Sequence, residues 1–201
     1  MAIFTFPDDV RPAEIDWLLM GNSQLFSSPL NRQPQTAELP GISWMVSMQF
    51  EKLKRSEIAS LEAFIAQLRG QANRALLWHH ARENPRGSSP GAPLVNGAGQ
   101  TGSSINTDGW TASQSGILLK GDLFEFGGEL KRMVVDADSD VSGESTLVFE
   151  PPIRVSPVDN AIITTVKPTA KFMLADNRQG VVGSRRALNG TSLSFVEDLR
   201  A

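Results

Sequence analysis

Two adjacent histidines, His79 and His80, are the first residues in this chain whose type could do acid–base or metal chemistry. Neighbours on an extended strand point to opposite faces, so the two imidazoles cannot converge on one metal ion without a distorted backbone. They read as partly exposed strand-end histidines, too few for catalysis. Asp136, Asp138 and Asp140 occupy alternate positions like the first ligands of a calcium loop. Such a loop needs glycine at its sixth position and glutamate at its twelfth, but Gly143 is misplaced and the twelfth position is Leu147. The three carboxylates are therefore expected to cap backbone N–H groups in an acidic hairpin turn, with a weak surface calcium site as the alternative.

The run Gly97-Ala98-Gly99-Gln100-Thr101-Gly102 superficially suggests a dinucleotide-binding loop, but neither a buried strand before it nor a helix after it, the context that motif requires, is evident. A Gly-Lys-Ser/Thr phosphate loop and a G-x-S-x-G nucleophile elbow are both missing, and cysteine is absent. These residues predict no enzyme, no cofactor and no resident metal. Paired carboxylates stay open, because their separation in space is invisible in a sequence.

Stepping outward to the elements, 201 residues suffice for one sizeable core, and 40% hydrophobic with 20% charged residues is the composition of a folding chain. One domain over 1–201 is expected. The net charge is -3 with no dense Lys/Arg block, which disfavours nucleic-acid binding. The acidic start, with Asp8 and Asp9, does not resemble a secretion signal, and every apolar run is far shorter than the ~18 residues that cross a bilayer. No membrane partner is expected, and the chain reads as soluble.

Residues 42–50 alternate, with Ile42, Trp44, Val46, Met48 and Phe50 on one face of a strand. The spacing then changes to threes and fours at Ile58, Leu61, Phe64, Ile65 and Leu68, which predicts an amphipathic helix capped by Ser56 and stopped near Arg69 and Gly70. That helix should lie on a sheet formed by residues 42–50 and 75–79. The three prolines Pro29, Pro34 and Pro40 argue against a long regular element over 27–39.

Residues 84–116 are so dense in Gly, Pro and Ser that they read as a long irregular arm, with short strands at most around Leu94 and Ile105. After Trp110, six short strands are predicted at 115–119, 123–126, 130–135, 145–150, 161–166 and 170–174. A flexible stretch at 180–190 and a last strand at 192–197 follow. The fold class is mainly β, a β-sandwich or small barrel with one packed amphipathic α-helix and a long irregular assembly loop. Trp110, placed just after the Asp108-Gly109 turn, can serve either as core or as an anchor on a neighbour.

The order of several short motifs carries a resemblance. Ser28-Pro29-Leu30, Pro40-Gly41-Ile42-Ser43-Trp44, Leu68-Arg69-Gly70, the glycine run at 97–102, Thr107-Asp108-Gly109-Trp110, Gly121-Asp122-Leu123-Phe124 and Phe149-Glu150-Pro151-Pro152 together resemble roughly 200-residue tail proteins of long-tailed bacteriophages, similar in role to distal tail proteins. The resemblance covers most of the chain and implies a non-enzymatic virion component. Such a subunit is made in the host cytoplasm and forms a ring, expected to be hexameric, that joins the tail tube protein to the tip hub protein. Against the usual distal tail protein, a large C-terminal galectin-like domain is expected to be missing. Arg74, Arg86, Gln100 and Trp110 are the candidate interface residues, with the 84–116 arm ordering against a neighbour. The alternatives are another virion part (tail tube, tube-terminating or head-decoration protein), or a cell-wall-binding or hydrolytic tip module.

Overall fold

A computed structural model describes residues 1–178, 180 and 191–200. Its strands are β1 (Ile3–Thr5), β2 (Glu14–Met20), β3 (Ser23–Ser27), β4 (Pro34–Glu38), β5 (Ser43–Phe50), β6 (Arg74–Trp78), β7 (Gly91–Val95), β8 (Gly102–Trp110), β9 (Leu123–Phe126), β10 (Glu129–Met133), β11 (Ser145–Ile153), β12 (Thr169–Leu174) and β13 (Thr191–Glu197). The helix α1 spans Arg55–Leu68. The fold is mainly β, with one helix and a curled, incompletely closed sheet that forms a half-barrel.

That curled sheet runs β1-β6-β12-β13-β5-β2, antiparallel except for the parallel β1/β6 pair. Register explains the curl. Trp17 pairs with Val46, Val46 with Phe195, and Leu174 with Phe195, so alternate apolar residues of four neighbouring strands share one face. That face buries Trp44, Val46, Met48, Phe50, Leu193 and Phe195 completely, and the sheet wraps around them.

Helix α1 adds Leu61, Phe64 and Leu68 to the same core, the stripe that the three-and-four spacing predicts. Its N-cap is Lys54 rather than Ser56. The Lys54 backbone N–H donates to Glu57 Oε2 at 2.7 Å, and Glu57 at the third helical position satisfies the first turn in place of a serine hydroxyl. Arg69 and Gly70, both with positive φ, end the helix.

The second sheet, β7-β8-β11-β10-β9, is antiparallel throughout and encloses its own core of Val95, Ile105, Trp110, Phe124, Phe126 and Phe149 with smaller neighbours. Strands β9 and β10 serve both cores, because Leu123 and Leu130 face the half-barrel while Phe124, Phe126 and Met133 face away from it.

The expected irregular arm at 84–116 is corrected here, since it supplies β7 and the nine-residue β8, which lies between β7 and β11. Its glycines serve close backbone approach. A Cβ on Gly91 would collide with the Gly109 carbonyl, and one on Gly109 with the Ala92 carbonyl, where β7 and β8 bulge past each other.

Two other predicted strands shrink to isolated bridges, Leu118 with Ala137, and Ile162 and Thr164 with Leu94 and Glu125. Residues 181–190 of the expected flexible stretch lie outside the described residues. Among the described residues, no helix is long and apolar enough to cross a membrane.

Candidate functional site

The chemically suggestive residues are drawn into structural roles. Asp136 Oδ1 accepts from the Lys120 N–H at 2.6 Å, and Asp138 Oδ1 accepts from the Gly116 N–H at 2.6 Å. Asp140 Oδ1 takes two N–H groups, of Ser142 and Glu144, each at 2.8 Å. Asp140 thus caps the acidic turn as expected, whereas Asp136 and Asp138 tie that turn to the distant 116–120 segment; Asp138, Asp140 and Glu144 border an open polar hollow of 550 Å³ beside β8 and β11. Among the described residues, no group of three or more histidines and carboxylates could hold a metal ion.

His79 and His80 do point apart. His79 stacks on Trp17 with ring centres 5.2 Å apart, while His80 lies against Trp78 at 4.7 Å and Phe6 at 5.0 Å. The expectation of partial exposure fails for His79, which is buried. Burial, and then the positive charge of Arg82, lowers the His79 pKa to about 4. Burial and Arg11 do the same to His80. Both imidazoles are neutral near pH 7, embedded in aromatic surface, and far from the geometry of a catalytic base with an orienting partner.

Three of the four candidate interface residues have side chains engaged within the chain, and for Trp110 the core alternative is the one realised. Arg74 is buried and donates from Nε to Asp198 at 2.5 Å. Trp110 is 5% exposed and donates from Nε1 to the Thr107 hydroxyl at 2.8 Å. Gln100 closes its own loop, its amide nitrogen donating to the Asn96 carbonyl at 2.8 Å and its oxygen accepting from the Asn106 N–H at 2.7 Å. Only Arg86 of the four keeps an exposed side chain, lying beside Asp122.

A different segment presents free surface. Strands β3 and β4 form a two-stranded ribbon, Ser23 paired with Glu38 through Ser27 with Pro34, in which every residue of both strands is exposed. Leu25 is 70% exposed, Phe26 56% and Leu30, at the tip, 95%. The root is tied by the Asn22 side-chain amide donating to the Pro40 carbonyl at 2.6 Å and by the Leu39 N–H donating to the Asn22 carbonyl at 2.8 Å. The tip is closed by the Ser28 N–H donating to the Gln33 carbonyl at 3.1 Å.

An isolated two-stranded ribbon is at best marginally stable in water, and its large apolar side chains are left uncovered by the described residues. At its root lies a mostly apolar groove of 540 Å³, walled by Leu39, Pro40, Ile42, Pro152, Ile153 and Leu199.

The sequence reading passed over this segment because its three prolines suggested irregularity. The missed signal is positional: Pro34 opens β4 and Pro40 follows its end, places where a ribbon tolerates proline.

The groove floor is held by buried charge. Lys131 is fully buried, with Nζ 2.6 Å from Glu129 Oε2 and 5.6 Å from the centres of the Phe126 and Phe149 rings. Burial lowers the Lys131 pKa. It would also raise that of Glu129, but the hydrogen bond and charge of Lys131, with the N–H groups of Val155 and Arg154, hold that carboxyl below its ordinary value.

Arg154 continues the network to Glu197 at 2.6 Å, and Glu197 accepts the Trp44 N–H at 2.9 Å. The two sheets are therefore pinned together beneath the ribbon's root. Comparison of the chain with models of known protein families finds no match, and comparison with curated protein sequences finds none either.

Proposed function

We propose that this protein is a non-catalytic structural subunit of a bacteriophage tail, forming a ring at the distal end of the tail between the tube and the tip hub. The observation that carries this reading is the β3–β4 ribbon, ten paired residues without cover, displaying Leu25, Phe26 and Leu30 at the end of a rigid two-sheet body. A protruding apolar element on one side of a subunit and a receptive surface elsewhere make a heterologous contact, which closes into a ring when the rotation per subunit divides a full turn. The motif order described above supplies the tail assignment and the expectation of six copies, with the tube protein and the hub protein as axial neighbours.

The test is to replace residues 23–38 by a short Gly-Ser link and to measure mass in solution by light scattering alongside circular dichroism. The intact chain is expected to form a closed oligomer, and the shortened chain to stay monomeric with its half-barrel folded. A shortened chain that still closes into the same oligomer removes the ribbon from assembly. Labelling of tail particles with an antibody to the protein checks the location, and signal confined to heads or to the tube wall overturns it.

A further inference from the structure

A second feature, independent of the assembly reading, lies at the turn after β6. There a pocket of 240 Å³ is walled by Arg82, Asn84, Arg86, Lys120, Gly121 and Asp122. Three cations face it against one carboxylate, in a chain whose overall charge is -3. That carboxylate is already occupied. Asp122 Oδ1 accepts the Arg86 N–H at 3.0 Å, and Oδ2 accepts those of Gly87 and Leu119 at 2.9 Å each, so Asp122 builds the pocket wall more than it neutralises its contents.

Arg86 is held in place by Asp122 and by the Lys120 carbonyl, which leaves its guanidinium preorganised. Among the described residues, neither Arg82 nor the Lys120 ammonium has a carboxylate partner. Arg132, in register with Leu123 at the pocket's inner end, is also without one; its guanidinium lies 4.6 Å over the Trp44 ring and its buried Nε makes no hydrogen bond. The charge of Arg82 is felt at both Arg132 and His79, the mark of like charges gathered without a counterion.

We infer that this pocket binds a phosphate dianion, held by Arg82, Arg86 and Lys120 with Asn84 as a neutral donor. Donors arriving from separate chain segments suit a tetrahedral oxyanion, and the guanidiniums offer paired N–H groups to its oxygens. The volume is below the roughly 300 Å³ at which sites for drug-sized molecules begin, which fits a small ion or the terminal phosphate of a larger ligand.

The test is a titration of the intact chain with inorganic phosphate at constant ionic strength, followed by amide chemical shifts and by calorimetry. A parallel arm uses glycerol phosphate to separate the free ion from a phosphomonoester. Saturable shifts centred on residues 82–87 and 119–122 are expected in at least one arm. Arg82→Ala or Lys120→Ala should weaken binding by about tenfold or more, while Lys54→Ala, a distant exposed cation, should leave it unchanged.

Arg82 and Lys120 are exposed, so both variants should keep the wild-type thermal unfolding curve without phosphate, and each should gain less stability than the wild type at the same phosphate concentration. Three results overturn the proposal: equal binding by the Arg82→Ala/Lys120→Ala double variant, the same response to chloride as to phosphate, or tighter binding of an oligothymidylate through these residues. The last would mark a polyanion track in place of a discrete site.

Discussion

Two stretches of this chain are rich in residues that interrupt regular structure, and they end in opposite environments. Residues 84–116, the more glycine-rich, supply β7 and β8 and bury Val95, Ile105, Thr107 and Trp110 in the second core. Residues 21–41 form the β3–β4 ribbon and bury nothing along either strand. Glycine density therefore marks tight backbone approach in the first stretch, while the exposed apolar surface arises in the second. What separates them is whether alternate side chains find a core to enter, which no local composition records.

The contrast can be broken from its buried side. Trp110→Ala removes the largest side chain that β8 contributes and leaves the Thr107 hydroxyl without its donor. Unfolding in urea should show a loss of about 3–5 kcal/mol, and a loss under 1 kcal/mol would mean that β8 is as dispensable as the ribbon. Glu129→Gln should cost about 3 kcal/mol or more, because it strands the fully buried Lys131 ammonium. The double change Glu129→Leu/Lys131→Met should restore most of that stability.

Acid provides a sharper test of the half-barrel. The folded-state pKa of each histidine, about 4, lies below the unfolded value near 6.5, so the unfolded chain binds more protons between those limits. The stabilisation is complete above about pH 6.5 and is lost as pH falls towards 4, on the order of 2 kcal/mol for the pair after allowance for the half-buried His80. His79→Gln/His80→Gln should flatten the pH dependence of the urea midpoint across that window.

Gly109→Ala should cost about 1–3 kcal/mol, since the position combines a positive φ with the Ala92 carbonyl in the way of a Cβ. On the ribbon the expectation reverses. Phe26→Ser and Leu30→Ser should each change monomer stability by no more than about 0.5 kcal/mol, yet weaken self-association in light scattering. A large stability loss there would show that the ribbon packs on its own body.

Legibility followed amphipathicity. The helix and β5 could be read because each presents one apolar and one polar face, giving a clear period of 3.6 or 2. β2 escaped notice because Leu18 and Met20 face out while Ile15, Trp17 and Leu19 face in, so no alternation shows. The turn role of Asp140 was legible from a failed calcium spacing, a purely local argument, whereas the bonds of Asp136 to Lys120 and of Asp138 to Gly116 were not. The fates of Arg74, Gln100 and Trp110 were not, since each depends on a partner that only the fold supplies: Asp198, the Asn96–Asn106 loop and the second core.

By itself the sequence determined the β-rich class, the single helix and its buried stripe, and the turn-capping role of Asp140, because these are set by side-chain period and by contacts a few residues apart. Only the tertiary structure decided which glycine-rich segment is core and which ribbon is left bare, and which cations gather without a counterion around Arg82. Those outcomes depend on strand register between residues far apart in the chain, where a shift of one position exchanges the buried face for the exposed one.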